Sequence, residues 1–378
     1  MSRGSSTPTA TEGTGPVHEP RPDGRDIVLL CNPRAGGRWK ELANILDSPE
    51  TRHVRWIVTD SIHDIGPALA SLGSETQLVC VYGGDGTIQR ILDKMYADRR
   101  DGPQLAFLGG GTMNVTSRWC GMLAGPGRNF RDVVRAYKSG QLLTKEVPVL
   151  EVRQGSQLRH CFTFGMGPII RILNEYENGS KGKMAAVRIV AKSLTAIWTN
   201  KPADYEQILR PMDADVFQDG ERLPYDRYSL LFCNSTGQLH IGVHPFVKVR
   251  SRGTFYSAAY AISKQEVAIW LPLLARGHRP VDPKSLIAPV AGWKQIAMSY
   301  LGQGSFPTDP RYINDLSSRF EVRTDERLYT VDGEVVHGTG EPIHVALGPV
   351  LKLAISPRGD LITQPLRFAK GVKAPDAD

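Results

Sequence analysis

Apolar and polar positions divide the chain into two textures. In the first third, short continuous apolar runs end in glycine-rich turns, and each turn opens into residues spaced as on one face of a helix. Residues 26–31 (DIVLLC) lead into Asn32, Pro33, Arg34, Ala35, Gly36 and Gly37, then a helical stretch to about Ile45. Residues 78–82 lead into Gly83, Gly84, Asp85, Gly86 and Thr87, followed by Ile88, Ile91, Leu92 and Met95 at helical spacing. Residues 104–108 (QLAFL) lead into Gly109, Gly110, Gly111, Thr112, Met113 and Asn114, and again a helical stretch. Repeated strand, turn and helix units predict a parallel sheet with helices on both faces. In such a sheet the turns at the carboxyl ends of the strands gather at one crevice, so the three glycine loops are expected to face each other.

After about residue 145 the period changes to two. VPVLEVRQGSQLRHCFTF, YSLLFCNSTG, GTFYSAAYAI, SRFEVRTDERLYTVDGEVV and IHVALGPVLKLAIS alternate and break at turn residues, the pattern of an antiparallel sandwich. Helical stretches interrupt it near 181–199 and 263–276. The division that follows is a disordered tail over 1–24, a nucleotide-binding α/β domain over 25–144, and a β-rich substrate domain over 145–350. Residues 351–378 form a C-terminal segment able to return to the first domain.

Composition narrows the partners. A length of 378 residues suits two domains, and a formal charge of +7 suits an anionic partner such as a nucleotide or an acidic membrane surface. Five cysteines without a CxxC pair read as reduced core thiols of a cytoplasmic protein. The Ser-, Thr-, Gly- and Pro-rich start lacks a signal peptide's apolar stretch, and no run is long enough to span a bilayer, so membrane contact would be peripheral, on the inner face.

The loops carry the chemistry. Glycines let backbone N–H groups approach phosphate oxygens, and Asn32, Arg34, Thr112 and Asn114 add amide, guanidinium and hydroxyl groups. Neither a Walker A loop nor the GxGxxG dinucleotide fingerprint is present. Asp85 reads either as a functional carboxylate in the crevice or as a helix cap. Asp332 and Gly333, between two strand-like runs, read by themselves as a hairpin tip. His240 and His244 are four apart, but Gly242 and Pro245 break the helix that would bring them together.

The order NPxxG, GGDGT, GGGTMN and DGE resembles the diacylglycerol kinase catalytic-domain superfamily, which includes bacterial lipid kinases and sphingosine and ceramide kinases. The resemblance spans roughly residues 25–365. It implies a two-domain fold with ATP held by Asn32, Arg34, Gly36, Gly83, Gly84, Gly86, Thr87, Gly110, Gly111, Thr112 and Asn114, and more loosely by Thr59 at the end of WIVT. It implies Asp85, Asp332 and Glu334 at the reacting centre, Mg²⁺ with the ATP on Asp85 and Asp332, and a lipid hydroxyl as acceptor. No nucleic-acid partner is expected, and oligomeric state is not readable. Which aspartate is base and which is metal ligand stays open. Two departures stand out: GMGP ends in Pro168, and Arg250, Ser251, Arg252 and Gly253 replace an Asp-Asp-Gly turn. The missing acids serve a structural metal site in part of the family, so no such site is expected here.

The reading is an ATP-dependent lipid kinase acting on a diacylglycerol- or sphingoid-like hydroxyl. The alternatives are a non-catalytic lipid-binding protein on the same fold and a kinase of a soluble nucleotide, as in NAD kinase. For membrane contact, KGKMAAVRIVAKSLTAIWT over 181–199 puts Lys181, Arg188 and Lys192 on one helical face with Trp198 among the apolar remainder, and no acid lies between Asn178 and Ala203. That stretch is weighed against an ordinary helix packed on the β domain.

Overall fold

A computed structural model of the chain describes residues 25–97, 101–111, 114–167, 170–171, 210–238, 245–274, 276–282, 284, 293–301 and 307–356. Thr112, Pro168, His240, His244 and the basic stretch 181–199 lie outside them.

Four strands open the fold: β1 (Ile27–Cys31), β2 (Arg55–Val58), β3 (Leu78–Tyr82) and β4 (Gln104–Phe107). They are parallel in the order β2–β1–β3–β4, and every residue of β1 and β3 is buried, as a strand covered on both faces requires. The chain steps outward from β1 to β2, then back across β1 to β3. Right-handed crossovers therefore put α1 (Trp39–Leu46) and α2 (Ile62–Ala70) on opposite faces. Packing agrees: α1 lies against α5 (Pro126–Lys138), and α2 against α3 (Asp85–Met95). The short α4 (Val115–Trp119) follows the third glycine loop.

The sheet continues past β4. The last strand, β18 (Ile343–Ala354), sets Leu353 parallel beside Leu105 and pairs antiparallel along its length with β5 (Thr144–Gln154). From there the sheet is antiparallel. β18 also pairs β15 (Arg319–Arg323), which pairs β9 (Asp215–Gln218) and then β10 (Glu221–Arg222), while β5 pairs β6 (Gln157–Cys161).

A second, six-stranded antiparallel sheet runs β14 (Tyr312–Ser317), β13 (Phe255–Tyr260), β12 (Leu230–Asn234), β7 (Thr163–Met166), β16 (Leu328–Val331) and β17 (Glu334–His337). Leu150, Val152, Phe320 and Val345 of the long sheet share one core with Phe164, Leu231, Phe255 and Tyr329 of the second. The two sheets thus form a sandwich. A further cluster, with Phe232, Ala258 and Tyr260 of the second sheet, packs under α6 (Lys264–Leu274). The α/β half and the antiparallel half are those the periodicities predict. Small differences occur at ends: the second strand stops at Val58, one residue before Thr59, and the third glycine loop opens a helix of only 5 residues.

Candidate active site

The three glycine loops interlock. Asn32 Nδ2 donates to Thr87 Oγ1 at 3.2 Å, tying the first loop to the second, and Gly110 N–H donates to the Gly83 carbonyl at 2.7 Å, tying the third to the second. The approach leaves no room for side chains. A Cβ on Gly111 would stand 2.6 Å from the Gly84 Cα, and one on Gly36, whose φ is +60°, would collide with the Gly110 carbonyl. Asn114 takes the left-handed conformation at φ 51° and closes the third loop on itself, exchanging bonds of 2.7 and 2.6 Å with the Gly111 backbone. Its amide is therefore a loop fastener first. The Asn32 side-chain oxygen, Oδ1, likewise accepts the backbone N–H of Arg34, whose side chain is exposed. Thr59 is buried, and its hydroxyl donates to the Cys31 carbonyl at 3.2 Å.

Asp85 begins α3, but its carboxylate serves another helix. Its two oxygens accept the N–H groups of Val115 and Thr116, each at 3.2 Å, at the start of α4. Withdrawal from water raises its proton affinity above the ordinary carboxylate value, and those N–H groups oppose the rise. The capping reading of Asp85 is met in altered form, with the capped helix lying one loop further along the chain.

Asp332 answers a similar question. It sits at the tip of the β16–β17 hairpin with φ 50°, followed by Gly333 at φ 88°, the two left-handed residues of a type I′ turn. The same residue turns its carboxylate inward onto the N–H groups of Phe162, at 2.9 Å, and Thr163, at 2.8 Å. Burial pushes this carboxyl up to about 7, against those two donors and with help from the negative charges of Asp85 and Asp93. Glu334 projects from the other side of the turn against the second glycine loop, where a Cβ on Gly86 would meet its Oε1 at 2.7 Å. The fold thus brings Asp85, Asp332 and Glu334 together from two domains.

Beside them lies a cavity of about 300 Å³. Its walls are mainly apolar, from Trp119 of α4, Phe164 and Met166 of β7 and Leu231 and Phe232 of β12, with Asp332 among the lining residues. Val115 and Thr116, whose backbone holds Asp85, line it too. Apart from Asp332, neither these lining residues nor Asp93, which bonds the backbone of β6, stood out in the sequence. The available signal for Asp93 was its place on α3 two turns after Asp85, on the same helical face.

Residues 26–147 match the family described as the diacylglycerol kinase catalytic domain. That match and the shared fold support the diacylglycerol kinase catalytic-domain superfamily that the motifs resemble. A solved diacylglycerol kinase from Bacillus anthracis superposes with a TM-score of 0.53 at 17% identity, covering 88% of this chain and 97% of its own. At that identity the likeness speaks for the fold. An NAD kinase from Archaeoglobus fulgidus in complex with ATP reaches 0.45 at 13% identity over 90% of this chain and 98% of its own, too loose to bear on substrate. No curated protein matches the sequence. The superfamily is one of kinases, and among the described residues no helix is long and apolar enough to cross a membrane.

Proposed function

We propose that the protein transfers the γ-phosphoryl group of ATP to a hydroxyl of a diacylglycerol- or sphingoid-like lipid. The observation that carries this reading is the apolar cavity with Asp332 in its wall and the α4 residues that hold Asp85 beside it. Thr163, Thr236, Gln238 and Thr330 also line the cavity, but its surface is mainly apolar, which suits a hydrocarbon chain against Trp119, Phe164 and Phe232 better than a soluble nucleotide.

The residues fit Mg²⁺–ATP. The interlocked glycine loops offer a cradle free of side chains, and Asp85 is a hard oxygen donor beside them that would hold the cation. Bound there, the metal would neutralise phosphate charge. Asp332 is the better candidate for the base. A carboxyl near 7 holds a proton more firmly than an ordinary aspartate and can take one from a lipid hydroxyl at neutral pH. Its neighbours Asp85 and Glu334 then complete the acidic set facing the loops.

The test is transfer of ³²P from ATP in the presence of Mg²⁺, offered to an extracted lipid mixture and separately to NAD. Label in the lipid fraction, abolished in Asp85→Asn and Asp332→Asn, is the expected result. Label in NAD alone would replace the lipid by a soluble nucleotide. Retained ATP binding with no transfer to either would make the protein a non-catalytic binder.

A further inference from the structure

Between Asp226 and Glu266 the sequence has no acidic residue. Within that span, β12 lines the cavity, and the chain returns to the same sheet at Pro245 before entering β13. Residues 246–252, FVKVRSR, form a strap without regular structure. Its anchor is well defined. The buried Asn314 of β14 donates to the Pro245 carbonyl at 2.7 Å and accepts the Val247 N–H at 3.2 Å, gripping the strap from both sides. Phe246 stacks on Tyr256, with centroids 4.6 Å apart, and packs against Phe232, a cavity-lining residue, at 5.3 Å. One aromatic layer therefore separates the strap from the cavity wall.

Beyond that anchor the strap faces outward. Val247 is 42% exposed and Val249 71%, although two fixed hydrogen bonds and an aromatic stack hold the chain beside them. Lys248, Arg250 and Arg252 alternate with the valines and with Ser251; Lys248 and Arg252 are exposed, while Arg250 is half-buried and donates to the Thr254 carbonyl at 3.3 Å. Asp315 is the acid that meets them among the described contacts, in an ion pair with Lys248. Isolated exposed valines are ordinary on protein surfaces, but valines interleaved with three cations on a rigid strap match an interface that is apolar within and anionic at its rim. A soluble polyanion would pair with the cations and leave the valines in water. A bilayer with acidic headgroups satisfies both.

We propose that residues 246–252 dock the protein on an anionic lipid bilayer, with the valines below the headgroup phosphates and the cations among them. This rests on the lipid reading of the cavity and deepens it: the docked strap packs, through Phe246, on the cavity-lining Phe232.

The test is co-sedimentation of the full chain, without nucleotide, with phosphatidylcholine vesicles lacking or containing phosphatidylglycerol. Wild type should partition onto the anionic vesicles in a salt-sensitive way and leave neutral vesicles largely unbound. Val249→Asp should lower that partition at least tenfold, on the order of the change expected for replacing an inserted methyl-bearing group by a charge. Arg252→Gln should lower it about fivefold, and Asp315→Asn, which frees Lys248, should raise it. Partition of Val249→Asp equal to wild type, with an unchanged thermal melt, would overturn the proposal, as would equal binding to neutral vesicles. Transfer to a short-chain, water-dispersed alcohol should proceed in Val249→Asp at the wild-type rate. That arm separates failure of the strap from failure of the kinase reading, which would abolish transfer in both proteins.

Discussion

Asp93 Oδ1 accepts the backbone N–H of His160 at 2.5 Å, joining the helix that starts with Asp85 to the strand that leads to the Asp332 donors. Gln89 holds the other carboxylate oxygen at 2.6 Å, and the buried His160 ring lies 3.6 Å from Asp93 and 3.8 Å from Glu151. Two turns of α3 thus set the spacing between the two aspartates of the candidate centre. Asp93→Ala leaves the His160 N–H without its acceptor, a loss of about 1–3 kcal/mol. Turnover should fall roughly 10- to 100-fold as the two carboxylates lose register. Asp93→Asn keeps an acceptor and should retain most of the stability. Because it also removes a negative charge that helps hold the Asp332 proton, its acid limb of activity should move to lower pH. An unmoved limb in a well-folded Asp93→Asn protein would count against this coupling.

Activity should rise with pH through about 7, where Asp332 loses its proton. Stability should run the opposite way. The folded protein binds this proton more tightly than the unfolded chain, so the contribution is complete below about pH 4 and is lost as pH rises through 7. Asp332→Asn should therefore melt no lower than wild type at pH 8 while losing phosphoryl transfer, since an amide oxygen can still accept from Phe162 and Thr163 and asparagine tolerates φ 50°. Asp332→Ala leaves both donors unmet in a left-handed turn and should melt clearly lower. Calorimetry at pH 5 and pH 8 separates the two.

Asp85→Asn should abolish transfer and also cost some stability, about 1 kcal/mol, because its two oxygens each hold a separate N–H of α4 and an amide can serve only one of them well. Near wild-type turnover in this variant would remove the crevice from the chemistry.

Gly36→Ala should erase the rise in melting temperature that ATP gives the wild type. The added methyl would run into the Gly110 carbonyl at a φ that alanine avoids, forcing the first and third loops apart. Gly37→Ala is the control: its φ is also positive, but a Cβ there meets nothing within 4 Å. Equal ATP responses from the two variants would show that loop separation does not matter for the nucleotide.

Removing divalent cations from the nucleotide-free protein should leave its melting temperature unchanged. Arg252 stands, exposed, in the turn where a structural metal site would need acids. A large drop on chelation, reversed by Mg²⁺, would reveal a site elsewhere.

Much of this was legible before any coordinates. Continuous apolar runs ending in glycine predicted doubly covered strands feeding tight turns, and the switch to a period of two after about residue 145 pointed to the sandwich. The candidate site was legible where its geometry depends on residue type: glycines that must lack a Cβ, and aspartates beside them. Less visible was anything carried by backbone. The N–H groups of Val115, Thr116, Phe162 and Thr163 hold both carboxylates, yet their side chains are unremarkable for that role. Asp332 illustrates the limit most clearly, since the hairpin and the inward carboxylate require the same residue and local pattern reports only the hairpin. The cavity, built from strands far apart in sequence, left no local pattern at all.

The pairing of Leu353 with Leu105 governs the order in which the molecule can be made. As the chain leaves the ribosome, the glycine loops and their strands emerge early, but β4 keeps an open edge until almost the entire second domain has been synthesised and β18 arrives to cover it. The α/β half is consequently the first to begin folding and among the last to finish. Its completion waits on the same chain segment that joins the sandwich to it, so the interlocked glycine loops have little chance to persist without the neighbouring cavity.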